Sequence, residues 1–105
     1  MRIEAAVEDG ISPQARTYAE YRVFAAVTQS AAVANVRDVR VELHRVDRDG
    51  GCENIRCTVL VVLDDSDSLR IRTIGSHAYA AINRAVDRIR SAMAAGAADR
   101  VSPDA

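Results

Sequence analysis

Three consecutive segments of the sequence alternate between apolar and polar residues, and this period of two constrains the fold more than any other feature. Because successive side chains of a strand point to opposite faces, such alternation predicts strands with one buried face. A fourth segment at the N-terminus alternates in the same way. The four predicted strands are Met1–Val7, Val36–Val46, Ile55–Leu63 and Leu69–Ile74.

A helix is predicted between the first strand and the second. Ser12 and Pro13 are typical of a helix start, because serine can cap a free N–H group and proline has no N–H to leave unpaired. The helix is expected to run from Pro13 to about Gln29. Its predicted buried stripe consists of Ala15, Tyr18, Ala19, Val23, Ala26 and Val27.

A second helix is predicted after the last strand, with Ser76 as its N-cap. Its apolar residues recur at spacings of three and four: Tyr79, Ile82, Val86, Ile89 and Met93. The element order β-α-β-β-β-α predicts an α+β two-layer fold, a four-stranded sheet covered on one face by two helices. We expect a single domain over residues 1–95 and a short flexible tail over residues 96–105.

The second helix also carries the most specific family signal. The run Tyr79-Ala80-Ala81-Ile82, followed by Asp87-Arg88-Ile89, resembles the last helix of the ribosome hibernation-promoting factor family, or ribosome-associated translation inhibitors. That family has the same element order. The resemblance implies a domain that binds the small ribosomal subunit through its 16S rRNA and silences translation under stress or in stationary phase. The implied mechanism is occlusion of the sites for messenger and transfer RNA.

The resemblance implies RNA-binding residues on both helices, because members of the family contact ribosomal RNA through basic residues there. Arg16, Arg22 and Arg88 match positions that are commonly lysine or arginine in the family. The full helix set is Arg16, Arg22, Arg84, Arg88 and Arg90. Each of these arginines could instead be a solvated residue, paired with Glu20 or Asp87 at helical spacing.

The overall charge does not indicate nucleic-acid binding. The fourteen cationic residues are all arginine, and fifteen carboxylates leave a net charge of −1, whereas a dedicated RNA binder usually has a basic excess. Strand parity, however, predicts an uneven distribution. If the odd-numbered positions face the helices, the open face receives Arg2, Arg40, Arg56, Arg70 and Arg72, with only Glu4 and Glu42 as carboxylates.

Two interpretations of that open face remain. Arg40, Arg56, Arg70 and Arg72 are predicted to bind RNA phosphates, although arginines can also simply keep an open sheet soluble. Leu60, Val62 and Ile74 fall on the same face. An apolar patch there would indicate a non-catalytic dimerisation module that retains the fold without binding ribosomes.

The sequence predicts no catalytic residue, cofactor or metal. The only histidines, His44 and His77, have no serine or cysteine partner at a telling spacing. The Asp47–Gly51 turn lacks the distal glutamate of a calcium loop. Cys52 and Cys57 form no zinc pattern and fall on opposite strand faces, so no disulfide is expected.

The sequence also allows expectations about the location and the partners of the protein. No apolar run approaches the ~20 residues that a membrane helix needs, and the N-terminus does not resemble a secretion signal. We expect a cytoplasmic protein that makes no membrane contact and has no small-molecule substrate. The small ribosomal subunit is the expected partner, and a homodimer is the alternative assembly.

Overall fold

The computed structural model describes residues 1–30, 33–47, 53–64 and 67–98. The strands are β1 (Arg2–Val7), β2 (Val36–Asp47), β3 (Glu53–Leu63) and β4 (Ser68–Gly75), and the helices are α1 (Pro13–Thr28) and α2 (Ala78–Ala98). A short 3₁₀ helix, Val33–Asn35, precedes β2. The predicted α+β order β-α-β-β-β-α is confirmed. Helix α2 extends past the boundary expected at residue 95, and the remaining tail, 99–105, lies outside the described residues.

The four strands form one sheet in the order β1-β2-β3-β4. β1 and β2 are parallel, so the chain must cross over the sheet between them, and α1 forms this crossover. The other two neighbouring pairs, β2 with β3 and β3 with β4, are antiparallel. The turn expected at Asp47–Gly51 lies mostly outside the described residues, as does Cys52.

A bulge at Arg37 shifts the register near the start of β2. Val36 pairs with Leu63 and Asp38 pairs with Val62, so Arg37 has no partner position on β3. The extra residue places Val36 on the buried face together with Val39, although strict alternation would put Val36 on the other side. The bulge therefore extends the core to the end of the sheet.

The core lies between the helices and the odd-numbered strand residues, as predicted from strand parity. The sheet contributes Val39, Val41, Leu43, Ile55, Cys57, Val59, Val61 and Ile71, and α1 contributes Ala15, Ala19, Val23, Ala26 and Val27. Helix α2 contributes Ala81, Ile82, Ala85, Val86, Ile89 and Met93. Tyr79 was expected in this stripe but is 38% exposed. It lies at the rim, where its ring packs edge-on against Tyr18 with centroids 4.8 Å apart.

The two helices begin with different caps. The N–H of Ala15 donates to Ser12 Oγ at 3.3 Å, so Ser12 caps α1 as predicted. In α2 the cap is His77, one residue beyond the predicted Ser76, because the N–H of Ala80 donates to His77 Nδ1 at 3.3 Å. The prediction of Ser76 as the cap is wrong. A neutral imidazole nitrogen can accept the same hydrogen bond that a serine oxygen would accept.

Two residues of β4 hold the start of α2 close to the sheet. The buried Thr73 donates its hydroxyl to the carbonyl of Ala81 at 2.8 Å. A Cβ on Gly75 would lie only 2.5 Å from the backbone nitrogen of Ala81. Only glycine allows this approach of helix to strand. The position of α2 over β4 is therefore determined by backbone contacts as well as by the core.

Candidate nucleic-acid interface

The sheet face that the helices leave uncovered, here called the open face, carries the even-numbered strand residues in rows. The strand register aligns these rows as Arg40-Leu60-Arg70, Glu42-Thr58-Arg72 and His44-Arg56-Ile74. Arg40, Arg70 and Arg72 are exposed and Arg56 is half-buried. The four arginines of this face that were predicted to bind RNA are thus brought together on three neighbouring strands.

The charges of the open face are divided between its two halves. Its β3–β4 half, which we call the basic half, consists of Arg56, Thr58, Leu60, Val62, Ser68, Arg70, Arg72 and Ile74. The β1–β2 half contains Arg2 and Arg40 together with three carboxylates, Glu4, Asp38 and Glu42. Asp38 was overlooked in the sequence, although its parity with Arg40 already placed it on this face. Strand order, rather than composition, separates the arginines of β3 and β4 from the acidic residues.

A depression of about 230 Å³ lies at the centre of the open face. Its lining residues are Arg40, Glu42, His44, Arg56, Thr58, Leu60, Arg70 and Arg72. Within the described part of the chain, its four arginines have no ion-pair or hydrogen-bond partner. Their guanidinium groups therefore remain available as forked donors to phosphate oxygens.

The one carboxylate that lines the depression is directed towards a histidine. Glu42 Oε1 lies 3.3 Å from His44 Nε2, and Glu8 Oε1 lies 3.5 Å from His44 Nδ1. Glu8 also accepts the backbone N–H of Arg45 at 3.0 Å. The side chain of Glu42 thus contacts His44 and forms no ion pair with an arginine of the depression.

The apolar residues of the open face do not form a single patch. Leu60 and Val62 are half-buried neighbours on β3. Ile74 is 45% exposed and pairs with Arg56, so the Thr58–Arg72 row lies between it and Leu60. A stable apolar interface needs a contiguous surface, and here polar side chains interrupt it.

On α1, both arginines of the predicted helix set contact other side chains. Arg16 Nε lies 3.7 Å from Glu20 Oε2, the pairing that the solvated alternative anticipated. The guanidinium carbon of Arg22 lies 5.9 Å from the centre of the Tyr18 ring, and Arg22 Nε is buried without a hydrogen-bond partner. Arg22 is half-buried, whereas Arg16 is exposed but pairs with Glu20.

On α2, the three predicted arginines are exposed. Arg84 Nη1 donates to the carbonyl of Ile74 on β4 at 2.8 Å, a bond that the sequence did not reveal. Arg88 and Arg90 have no ion-pair or hydrogen-bond partner among residues 1–30, 33–47, 53–64 and 67–98. Helix α2 therefore presents free guanidinium groups where α1 does not.

The described residues give little support to a reactive thiol, a metal site or a membrane-spanning helix. Burial raises the pKa of Cys57 to about 12, so its thiol stays protonated and unreactive at neutral pH. The described ranges contain no group of three or more His, Cys, Asp or Glu side chains that could hold a metal ion. In the same ranges, no helix has both the length and the apolar character needed to cross a membrane.

The fold defines a class: a small α+β domain whose sheet is covered by two helices on one side. A ribosomal subunit interface protein from Coxiella burnetii has this fold, with a TM-score of 0.73 and 12% identity over 94% of this chain and 100% of that chain. The N-terminal domain of Thermus thermophilus Protein Y has a TM-score of 0.66 and 21% identity over 90% of this chain and 97% of its own. The fold that the resemblance implied is thereby confirmed. No protein-family model and no curated protein sequence matches the chain.

Proposed function

We propose that this chain binds the small ribosomal subunit through its 16S rRNA and silences translation under stress or in stationary phase. The observation that carries the proposal is the basic half of the open face, where Arg56, Arg70 and Arg72 have no carboxylate among them. Phosphate contacts of this kind supply most of the affinity of RNA-binding proteins. A solved protein of the same fold is named a ribosomal subunit interface protein, which supports a ribosomal partner.

The proposed mechanism is occlusion rather than chemistry. A domain with extents of 42 × 26 × 20 Å would block messenger and transfer RNA by its volume when seated in their binding sites. Both histidines have structural contacts, since His44 lies between two carboxylates and His77 caps α2. We therefore propose that the protein is not an enzyme, needs no cofactor or small-molecule substrate, and acts in the cytoplasm with the ribosomes.

The helix arginines would contribute unequally to this binding. Arg88 and Arg90 are exposed and unpaired within the described chain, so they can meet phosphates without rearrangement. Arg16 would first have to leave Glu20, and Arg22 would have to leave the Tyr18 ring. We therefore propose that the arginines of α2 contribute more to RNA binding than those of α1.

Co-sedimentation with small ribosomal subunits tests the proposal directly. Arg70→Glu combined with Arg72→Glu should abolish binding, because it reverses the charge of the basic half. The matched control, Arg2→Glu with Arg37→Glu, changes the net charge equally at sites outside that half and should retain most of the binding. For the unmodified chain, log affinity should fall steeply with log salt. Equal binding by both double variants would overturn the proposal.

The competing function is a dimerisation module, and the exposed Ile74 is the residue that favours it. The discriminating variant is Val62→Thr with Ile74→Thr, which removes apolar surface without changing charge. Under our proposal this variant keeps its ribosome affinity, and the unmodified chain sediments as a monomer. A dimer that dissociates in the variant, together with no affinity for small subunits, would favour the interaction module instead.

A further inference from the structure

The arginines of the open face and those of α2 approach each other at the free edge of β4. β4 is an outer strand of the sheet, and β3 is its only neighbouring strand in the described part of the chain. Arg70 and Arg72 project from its open-face side, and α2 packs against its other side through the bond from Thr73 to Ala81. The two sets are therefore separated by the width of one strand.

Arg84 of α2 lies between the two sets of arginines, because it bonds to the backbone of β4. Its Nη1 donates to the carbonyl of Ile74 at 2.8 Å. On an edge strand, a carbonyl that does not bond to the neighbouring strand points away from the sheet and can accept a bond from a side chain. The guanidinium of Arg84 thus lies at the strand edge, next to an open-face residue. This bond uses one of five N–H donors, so the others remain available. Arg88 follows Arg84 by one turn on the same side of α2.

We propose that Arg70, Arg72, Arg84 and Arg88 form one continuous binding track, here called the edge track, for the phosphates of a single RNA strand. This inference rests on the proposed function and specifies the form of RNA that the surface recognises. The strand would run along β4 on the open face, cross the edge at Arg84 and continue on α2 at Arg88.

The charges around the edge track make the other routes across the surface less favourable for an RNA strand. Towards β1, the strand would meet Glu4, Asp38 and Glu42, three carboxylates against the two arginines Arg2 and Arg40. On α1, the exposed Arg16 pairs with Glu20 and the half-buried Arg22 packs near the Tyr18 ring, while the other outward-facing residues are neutral. On the α2 side, Asp87 is the only carboxylate among residues 78–94.

The bend of the edge track selects a single strand over a duplex. The open face and the helix layer point in opposite directions, so the ligand must turn around β4. A duplex is stiff over such a short distance, whereas a single strand can turn between successive phosphates and follow a basic groove. A duplex would reach only one side of the edge track at a time.

The salt dependence of binding to a single-stranded RNA oligonucleotide tests the edge track. Each phosphate contact contributes roughly 0.7 to the slope of log affinity against log salt for a single strand. Arg72→Gln, Arg84→Gln and Arg88→Gln should each lower the slope by about that amount. The control Arg2→Gln should leave it unchanged. Arg84→Lys, which keeps the charge, should restore the slope lost in Arg84→Gln.

Two further outcomes separate the edge track from the proposed function. If Arg72→Gln lowers the slope while Arg84→Gln and Arg88→Gln do not, the open face binds RNA but the edge track is overturned. An RNA duplex of equal length that loses affinity equally in all three variants would also overturn it. Thermal melting of each variant checks that Arg84→Gln has not simply released the β4 edge. Normal melting with the expected slopes supports the edge track. If the unmodified chain co-sediments with small subunits but binds no single-stranded oligonucleotide, the edge track alone is overturned.

Discussion

The two helices pack on the same sheet face, yet they differ in what they bury and in what they expose. Helix α1 buries mainly small residues, three alanines and two valines, whereas α2 buries the larger Ile82, Ile89 and Met93. Outward, α1 presents the neutral Gln14, Thr17, Tyr21, Phe24 and Thr28, beside an exposed Arg16 that pairs with Glu20. Outward, α2 presents arginines. The comparison teaches that α2 supplies the larger core side chains and unpaired arginines, while α1 supplies smaller core side chains and arginines that contact other residues.

The difference has a physical origin in side-chain size. Ala15, Ala19 and Ala26 let the backbone of α1 come close to its neighbours, but each buries little apolar area. Ile82 and Ile89 bury much more area per residue and fill the space above β3 and β4. We therefore expect substitutions in α2 to cost more stability than equivalent substitutions in α1.

The largest expected effect is the loss of a core side chain from α2. Ile82→Ala should lower the free energy of unfolding by about 2–5 kcal/mol, through lost burial and the cavity left behind. Val23→Ala, the matched change on α1, removes one carbon fewer and should cost clearly less. Urea denaturation of both variants measures the difference. An equal cost would show that the helices share the core evenly and would break the comparison.

A smaller loss is expected where α2 meets β4. Gly75→Ala places a methyl group 2.5 Å from the backbone nitrogen of Ala81, which cannot move without shifting the helix. The overpacking should destabilise the protein by about 1–3 kcal/mol. Ser68→Ala, at the exposed start of the same strand, is the control and should stay within about 0.5 kcal/mol. Thermal melting that shows no difference between the two would mean that α2 is not held against the strand.

Much of the fold could be predicted from local pattern, because strand parity and helix spacing follow from backbone geometry alone. Parity predicts that the odd-numbered strand residues face the helices, and the burial of Val39, Val41 and Leu43 confirms it. The bulge at Arg37 and the bond from Arg84 to Ile74 could not be predicted. Both depend on which strand lies beside which, and no period of two or of 3.6 residues carries that information.

Local periodicity was equally insufficient to predict the whole candidate site. Parity placed Arg40, Arg56, Arg70 and Arg72 on one face, but the concentration of basic charge on β3 and β4 depends on the strand order β1-β2-β3-β4. Family resemblance gave Arg16 and Arg88 the same expected role. Only the structure distinguishes Arg16, which contacts Glu20, from Arg88, which has no partner within the described chain.

The smallest expected effects concern the two caps, and they sharpen the comparison at the first turn of each helix. Ser12→Ala should destabilise the protein by about 1 kcal/mol, because the N–H of Ala15 loses its acceptor. Ser76→Ala should have almost no effect, since His77 caps α2, whereas His77→Ala should lose the bond from Ala80. His77→Asn should restore it, because asparagine is among the strongest N-cap residues. Equilibrium unfolding of the four variants ranks them. If Ser76→Ala costs as much as Ser12→Ala, the cap of α2 is the serine that the sequence alone predicted, and His77 becomes available for another role at the start of the helix.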